Sequence, residues 1–330
     1  MTKRSPIAVC GKLMVAGEYA VLAGGLAVSI AVPSDLRVAV DAAPIDRVSS
    51  EALALDGAPL SHPQLRYVAE AVAAVRWVLG QDEPLALEIR GSMKAAHHVG
   101  AKLGLGSSAA ICVGVVRAAW RHYRETLPTL QQTFRLAYRA HFRAQQNLGS
   151  GYDVATQAAA QTIAYRRPSV DRLANDDPRD FLDQPWPELQ IERLAWPSGL
   201  GCRAIYCGQS ADTRALVRAT PAASSAMHQA AVAVAAAWRA GQSVAVLEAI
   251  ARAERAFRQW ATAHQLAVDN QRLDSVRRII DGCGGVARVS GAGGGDSVLA
   301  FFDDETVGVR LTQAAHKAQL PLFDPGSAQG

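Results

Sequence analysis

The chain has 330 residues, 49% of them hydrophobic, so it can bury one large core or two modest ones, and small size sets no limit on its stability. A formal net charge of only +4, with no run of like charges, argues against a nucleic-acid track or an acidic tail and leaves small-molecule chemistry as the expectation. No membrane partner is expected either: the N-terminal stretch before Cys10 is only briefly apolar, and the Ala-rich run at residues 230–238 is far short of the ~20 residues a bilayer span needs.

In chain order, residues 26–32, 36–41 and 85–90 are β-branched or alternating runs and predict strands. Residues 64–79, 109–124 and 130–146 carry apolar side chains at three and four spacing and predict helices. Four prolines and a cluster of aspartates between Arg167 and Glu188 predict a solvated excursion, so the chain divides into an N-terminal lobe (1–168), a polar excursion (169–185) and a C-terminal lobe (186–330). In the second lobe, strands are expected at 189–195, 203–207, 286–289 and 298–302, and helices at about 221–241, 243–264 and 273–281, the last stopped by Gly282 and Gly284. Both lobes therefore read as α+β sandwiches. The five cysteines (Cys10, Cys112, Cys202, Cys207 and Cys283) are odd in number and scattered with no C-x-x-C pair, which suits a reducing cytoplasm.

Four segments carry the chemistry. The first is glycine-rich and runs straight into an Ala- and Val-rich helix: Lys102, Gly104, Leu105, Gly106, Ser107, Ser108 and Ala109. Glycines let a main chain approach a phosphate, and the free N–H groups and positive dipole end of a helix favour an anion. Ser107 and Ser108 can cap the helix, donate to phosphate oxygens or give an oxygen to Mg²⁺; the same residues would also serve an ordinary capped helix. The second is Gly291-Ala-Gly-Gly-Gly-Asp-Ser297 between two predicted strands, richer in glycine than a plain hairpin requires.

The third begins at Gly11 and places Lys12 and Glu18 among apolar residues, where burial of either charge demands a partner, so a lysine and a carboxylate sharing a cleft are expected. Only five of the 34 basic residues are lysines, so one inside a glycine motif stands out as a compact point charge suited to phosphate. The fourth, Asn147-Leu-Gly-Ser-Gly-Tyr-Asp153, aims Asp153 from a glycine-loosened turn, where it can orient a nucleophile, hold Mg²⁺ or cap the helix starting near Val154.

A G-K-x-x-x-x-G-E-Y-A-V-L start, a central G-L-G-S-S-A-A, a G-S-G-x-D segment and a C-terminal G-A-G-G-G-D-S, in that order, resemble the GHMP kinases across both lobes. The Walker pattern and the protein-kinase H-R-D and D-F-G set are absent. The resemblance implies a ribosomal-protein-like N-terminal lobe, a ferredoxin-like C-terminal lobe and an active site in the cleft between them. It also implies ATP and Mg²⁺ as cofactors, with ATP phosphates on Lys102 and residues 104–109 and Ser108 as the metal ligand.

Tyr19 in place of a histidine, together with G-A-G-G-G-D, resembles the branch of the family that phosphorylates 5-phosphomevalonate in the mevalonate route to isoprenoids. Mevalonate itself or a sugar, or nucleotide binding without turnover, are the alternatives. Mevalonate-phosphorylating members carry a glutamate metal ligand on the helix before the G-x-D segment, whereas residues 140–146 here have no carboxylate. By the same resemblance Lys12, Asp153 and Ser108 are catalytic, and Lys12, Glu18, Tyr19, Ser150, Asp153, Ser210, Thr213, Arg214, Ala292 and Gly293 face the acceptor. The implied assembly is a monomer or homodimer.

Overall fold

A computed structural model of the chain describes residues 5–91, 93, 104–174, 177–207, 222–266, 268, 270–293 and 297–325. The N-terminal lobe holds two sheets. In the first, β1 (Ile7–Ala8), β4 (Arg37–Ala42), β7 (Leu85–Arg90), β5 (Arg47–Ser50) and β6 (Leu55–Ala58) lie in the order 1-4-7-5-6, antiparallel except for the β5–β7 pair. The second sheet runs β2 (Gly11–Ala16), β3 (Leu26–Val32), β8 (Ile163–Arg166) and β9 (Gln190–Arg193), antiparallel throughout. Helices α1 (Arg66–Leu79), α2 (Ser107–Arg124), α3 (Leu130–Ala144) and α4 (Tyr152–Ala159) pack on one another and on these strands. A capping box closes the start of α3, Thr129 and Gln132 each satisfying the other's backbone N–H.

The C-terminal lobe has one antiparallel sheet: β10 (Gly201–Tyr206), β11 (Val286–Val289), β12 (Ser297–Phe302) and β13 (Leu322–Phe323), in the order 11-12-10-13. Its helices are α6 (Ser225–Ala240), α7 (Ser243–Ala263), α8 (Gln271–Gly282) and α9 (Glu305–Lys317). Strand order second-third-first-fourth, with helices between β10 and β11 and between β12 and β13, is the ferredoxin-like arrangement that the sequence motifs imply. No helix among the described residues is long and apolar enough to cross a membrane.

Two features depart from the sequence expectation. Residues 189–195, expected to open the second lobe, supply β9, which pairs with β8 as the edge strand of an N-terminal sheet, so the chain crosses between lobes only after it. The excursion at 169–185 is not simply solvated: Phe181, on the short helix α5 (Pro178–Asp183), is fully buried, as nearly are Leu173 and Trp186. Two arginines of α3 fasten it. Arg135 donates to the carbonyls of Phe181 and Leu182 and stacks 4.8 Å over Trp186, while Arg139 donates to the carbonyl of Leu173 at 2.7 Å and lies 4.3 Å over Trp77. Asp171, Asp177, Asp180, Asp183 and Pro185 line the exposed outer side of this segment, and its few apolar residues pack inward.

The lobes share a core. β3 is buried at every position because α4 covers it from its own lobe and α6 from the other, which is why it is apolar at every position but Ser29, whose hydroxyl meets Thr156 Oγ1 of α4. A second cluster, built from Tyr19, Met227, Phe257, Trp260, Ala261 and Val268, seals the junction beside the C-terminal glycine turn.

Candidate active site

The central glycine-rich segment ends in Gly106, at φ +78°, and α2 begins at the next residue with no side chain capping its first turn. A side chain at Gly106 would be strained by the positive φ, and its Cβ would crowd Lys12 Cε at 3.0 Å and Gln157 Nε2 at 3.1 Å. The first intrahelical bond of this turn is donated by Ala110 to Gly106, so the N–H groups of Ser107, Ser108 and Ala109 are left for an anion at the positive end of an eighteen-residue helix. The segment is pinned from α4: Gln157 Nε2 donates to the carbonyls of Leu105 (3.2 Å) and Gly106 (3.0 Å).

Lys12 sits on β2 and is only 8% exposed. Its Nζ donates to the carbonyl of Gly104 at 2.9 Å and lies 5.1 Å from the centre of the Tyr152 ring, while its backbone N–H donates to Leu105 at 3.1 Å. One ammonium thus joins the glycine segment to the first turn of α4, which carries Asp153. Burial pushes the Tyr152 phenol up, against the opposing pull of Lys12, so Tyr152 stays neutral beneath the cation. Asp153 accepts from the Val154 N–H at 2.9 Å. The turn before it is tight: Gly151, at φ +80°, leaves no room for a Cβ against Tyr138 and Tyr165, and Tyr165 donates to the carbonyl of the buried Ser150 at 2.8 Å.

Tyr19 and Ala292, both expected on the acceptor side, meet: the phenol donates to the Ala292 carbonyl at 2.8 Å. Tyr19 holds φ at 58°, an unusual angle for a bulky residue, and is kept there by that bond and by Trp260, 4.8 Å away. Gly293, at φ +86°, packs on Val268. The Met14 N–H donates to Ser290 Oγ at 2.9 Å, a second tie between β2 and the C-terminal turn.

Glu18 has a different role from the one its motif suggests. It is buried and paired with Arg288 Nη2, not with Lys12. Arg288, fully buried on β11, also donates to the Val15 carbonyl at 2.6 Å and to Glu254 at 2.7 Å; Glu254 in turn accepts from Arg277 at 2.9 Å. Val15 lies at the bulge where β2 loses register with β3, which turns its carbonyl out of the ladder toward the guanidinium. Burial pushes the Glu18 carboxyl up while Arg288 opposes that rise; burial pulls Arg288 down, and Glu18 and Glu254 outweigh it and raise the group, so it remains charged.

Lys12, Gly104, Leu105, Gly106, Ser107, Ser108, Ala109, Tyr152 and Asp153 are therefore gathered around α2 and α4, while Tyr19, also of the N-terminal lobe, reaches across the junction to Ala292 beside Gly293 on the opposite lobe. Lys102, Ser210, Thr213 and Arg214 lie outside the described residues. Three contributions escape motif reading, that of Tyr152 although it stands inside the fourth segment. Gln157 and Tyr152 act through contacts with partners far off in the chain, and His141, buried on α3, meets Ser108 Oγ through Nε2 at 3.0 Å. The only hint of His141 in the sequence is a polar residue on the inward face of an amphipathic helix.

The sequence matches the family descriptions "GHMP kinases N terminal domain" over residues 66–161 and "GHMP kinases C terminal" over 245–321, together more than half of the chain. The chain belongs to the GHMP kinases. Among characterised relatives, it is similar to a phosphomevalonate kinase of Streptomyces sp. (strain CL190), 29% identical with 89% of each chain covered. The fold resembles Streptococcus pneumoniae phosphomevalonate kinase in complex with phosphomevalonate and AMPPNP, at TM-score 0.86 and 24% identity over 97% of this chain and 98% of that one. It also resembles Methanococcus jannaschii mevalonate kinase, at TM-score 0.71 and 16% identity over 98% of both chains.

Proposed function

We propose that this protein transfers the γ-phosphoryl group of ATP to the terminal phosphate of 5-phosphomevalonate, giving 5-diphosphomevalonate and ADP. The observation that carries the proposal is Lys12, a buried ammonium set between the phosphate-suited segment at 104–109 and the acceptor-side turn at Ser150 to Asp153. The likeness to phosphomevalonate kinases in sequence and fold supports this choice of acceptor.

In the reaction an oxygen of the acceptor phosphate forms a bond to the γ-phosphorus, and the bond from that phosphorus to the oxygen bridging it to the β-phosphate breaks. The electron pair leaves on ADP. A phosphate monoester with a second pKa of about 6 is already deprotonated at neutral pH, so the site needs charge neutralisation and alignment more than a general base. The free N–H groups at the start of α2 receive anionic oxygens, and the Lys12 ammonium offsets the repulsion between donor and acceptor phosphates. Asp153, the residue after Lys12's aromatic platform Tyr152, orients the acceptor.

Mg²⁺ fits the donor set, because the Ser108 hydroxyl and the Asp153 carboxylate are the hard oxygens this ion takes alongside phosphates and water. When bound it would neutralise charge on the β- and γ-phosphate oxygens. ADP release measured side by side with mevalonate, 5-phosphomevalonate, galactose and homoserine tests the proposal. Selective turnover of 5-phosphomevalonate is expected; selective turnover of any other acceptor would overturn the substrate assignment and leave the kinase.

A further inference from the structure

A cleft of about 450 Å³ opens where β8 ends, and Leu22, Arg166, Arg167, Pro168, Val170 and Glu188 line it. Arg166 and Arg167 are neighbours in the chain, and in an extended strand their side chains would point to opposite faces. Here Arg166 Nη1 donates to the carbonyl of Gly24 at 2.6 Å and Arg167 Nη1 to that of Leu22 at 3.0 Å, so both guanidiniums are gathered on the short segment that follows Tyr19. Each bond uses one corner of a planar fork that carries several N–H donors, and neither arginine makes an ion pair among the described residues. By contrast, Arg76, Arg203, Arg239 and Arg288 each meet a carboxylate, and Arg135 and Arg139, tied to carbonyls in a similar way, lay their faces on aromatic rings. Two like charges drawn together with only neutral carbonyls for partners repel, and an anion between them removes that cost.

The lining selects the kind of anion. Glu188 is exposed and makes no ion pair among the described residues, so two guanidiniums and one carboxylate leave a single net positive charge, which suits a carboxylate better than a phosphate dianion. Leu22, Pro168 and Val170 supply apolar surface for a carbon chain. The cleft also borders the acceptor side of the active site. Tyr165, next to Arg166, donates to the Ser150 carbonyl at 2.8 Å, and the Leu22 N–H donates to the Tyr19 carbonyl at 3.0 Å.

We propose that Arg166 and Arg167 form a carboxylate-binding subsite for a small organic acid, the guanidinium forks taking the carboxylate and Leu22, Pro168 and Val170 its carbon chain. Two sources can supply that carboxylate: the acceptor itself, by the end remote from the transferred group, or a second acid molecule bound beside it. The subsite does not depend on the phosphomevalonate reading, and only its first source rests on that reading.

The test titrates the full chain, free of ATP, with mevalonate and with its uncharged lactone in ligand-observed NMR. Mevalonate should bind and the lactone should not, because only the open acid presents a carboxylate. Arg166→Gln and Arg167→Gln should each weaken mevalonate by about tenfold, with AMPPNP affinity and melting temperature unchanged, and Arg167→Lys should recover part of the loss. Glu188→Gln, which removes the one negative charge of the cleft, should tighten mevalonate by about twofold to threefold, a gain that a merely structural role does not produce. A carboxylate that is the acceptor's own predicts that Arg167→Gln raises the KM for 5-phosphomevalonate with little change in kcat and that mevalonate competes with it. A second acid predicts an unchanged KM and mevalonate binding in the presence of saturating 5-phosphomevalonate. Either pattern supports the subsite. No binding of mevalonate to the parent, equal binding of acid and lactone, or parental affinity in both arginine variants would overturn it. Should the arginine variants not fold, Val170→Glu carries the same test by adding a carboxylate to the cleft without touching either carbonyl bond, and unchanged mevalonate binding there is equally fatal. Failure of the parent to turn over 5-phosphomevalonate would remove the acceptor assignment and leave the binding comparisons to decide the subsite.

Discussion

Lys12 shows how one residue can be both a packing problem and a functional device. A charge this buried is tolerated because a carbonyl and an aromatic face receive it, and the same contacts fix where it points. Lys12→Met fills similar volume without the charge, so turnover should fall by about 10²-fold or more while the melting temperature stays near that of the parent, read by steady-state kinetics and thermal unfolding. Asp153→Asn should be milder, because an anionic acceptor needs no proton removed. Equal and complete loss in both variants would argue for an alcohol acceptor. Gln157→Leu should raise the KM for ATP several-fold with a smaller change in kcat, since it releases the two carbonyls that shape the glycine segment. Lys12, Ser108, Asp153, Tyr19 and Ala292 were legible because each stands inside a glycine-marked motif. Gln157 and His141 were not, because their partners lie 51 and 33 residues away and nothing local marks them. Glu18 was legible as a buried charge but not as the partner of Arg288, which sits 270 residues further on.

At the scale of elements, the long helices α1–α3 and α6–α8 and the strands β3, β4, β7 and β10–β12 followed from periodicity, whereas α9 and the strands β2, β5, β6 and β8 were not expected, and other misreadings came where composition and contact disagree. The segment around α5 is polar by count, yet Phe181 and Trp186 anchor it to α3. Two-stranded contacts such as β5 with β6 depend on pairing that no local run announces. A similar long-range contact stabilises α1: Arg76 takes Asp46 in a two-point pair at 2.8 and 2.7 Å, and Asp46 also accepts from the Leu85 N–H at the start of β7. The hydrogen bond from Arg76 holds the Asp46 carboxyl below its usual range. Its folded value is therefore below its unfolded value of about 3.9, so the stabilisation is fully present above that pH and is lost as pH falls through the folded value. Both side chains are partly exposed, and solvent screening keeps the contribution near 1 kcal/mol. Asp46→Asn should lower the melting temperature at pH 7, and the gap from the parent should close as pH drops below about 4. A gap independent of pH would mean the carboxylate's charge is irrelevant.

At the scale of the whole molecule, two lobes were legible from the order of motifs, but their fusion was not. α6 and α7 bury side chains on β2 and β3, and the chain of charges from Glu18 through Arg288 and Glu254 to Arg277 crosses the junction inside that shared core. Removing one member leaves another charged group buried without its partner, so Arg288→Met should cost about 3–5 kcal/mol in chemical denaturation, far more than any exposed arginine. A loss below 1 kcal/mol would show that the network is not fully desolvated. The junction matters because Ser290, bonded to Met14 on β2, and Ala292, bonded to Tyr19 just beyond it, hold the C-terminal turn against the strand that carries Lys12, so the two substrates are aligned only if the lobes are.

The most direct test of that arrangement is phosphorus NMR of the products formed from ATP, Mg²⁺ and 5-phosphomevalonate. Transfer to a phosphate acceptor predicts that the single monoester resonance gives way to the two coupled resonances of a diphosphate ester, in step with the appearance of ADP. Persistence of the monoester while ATP decays to ADP and inorganic phosphate, or no change at all, would contradict it.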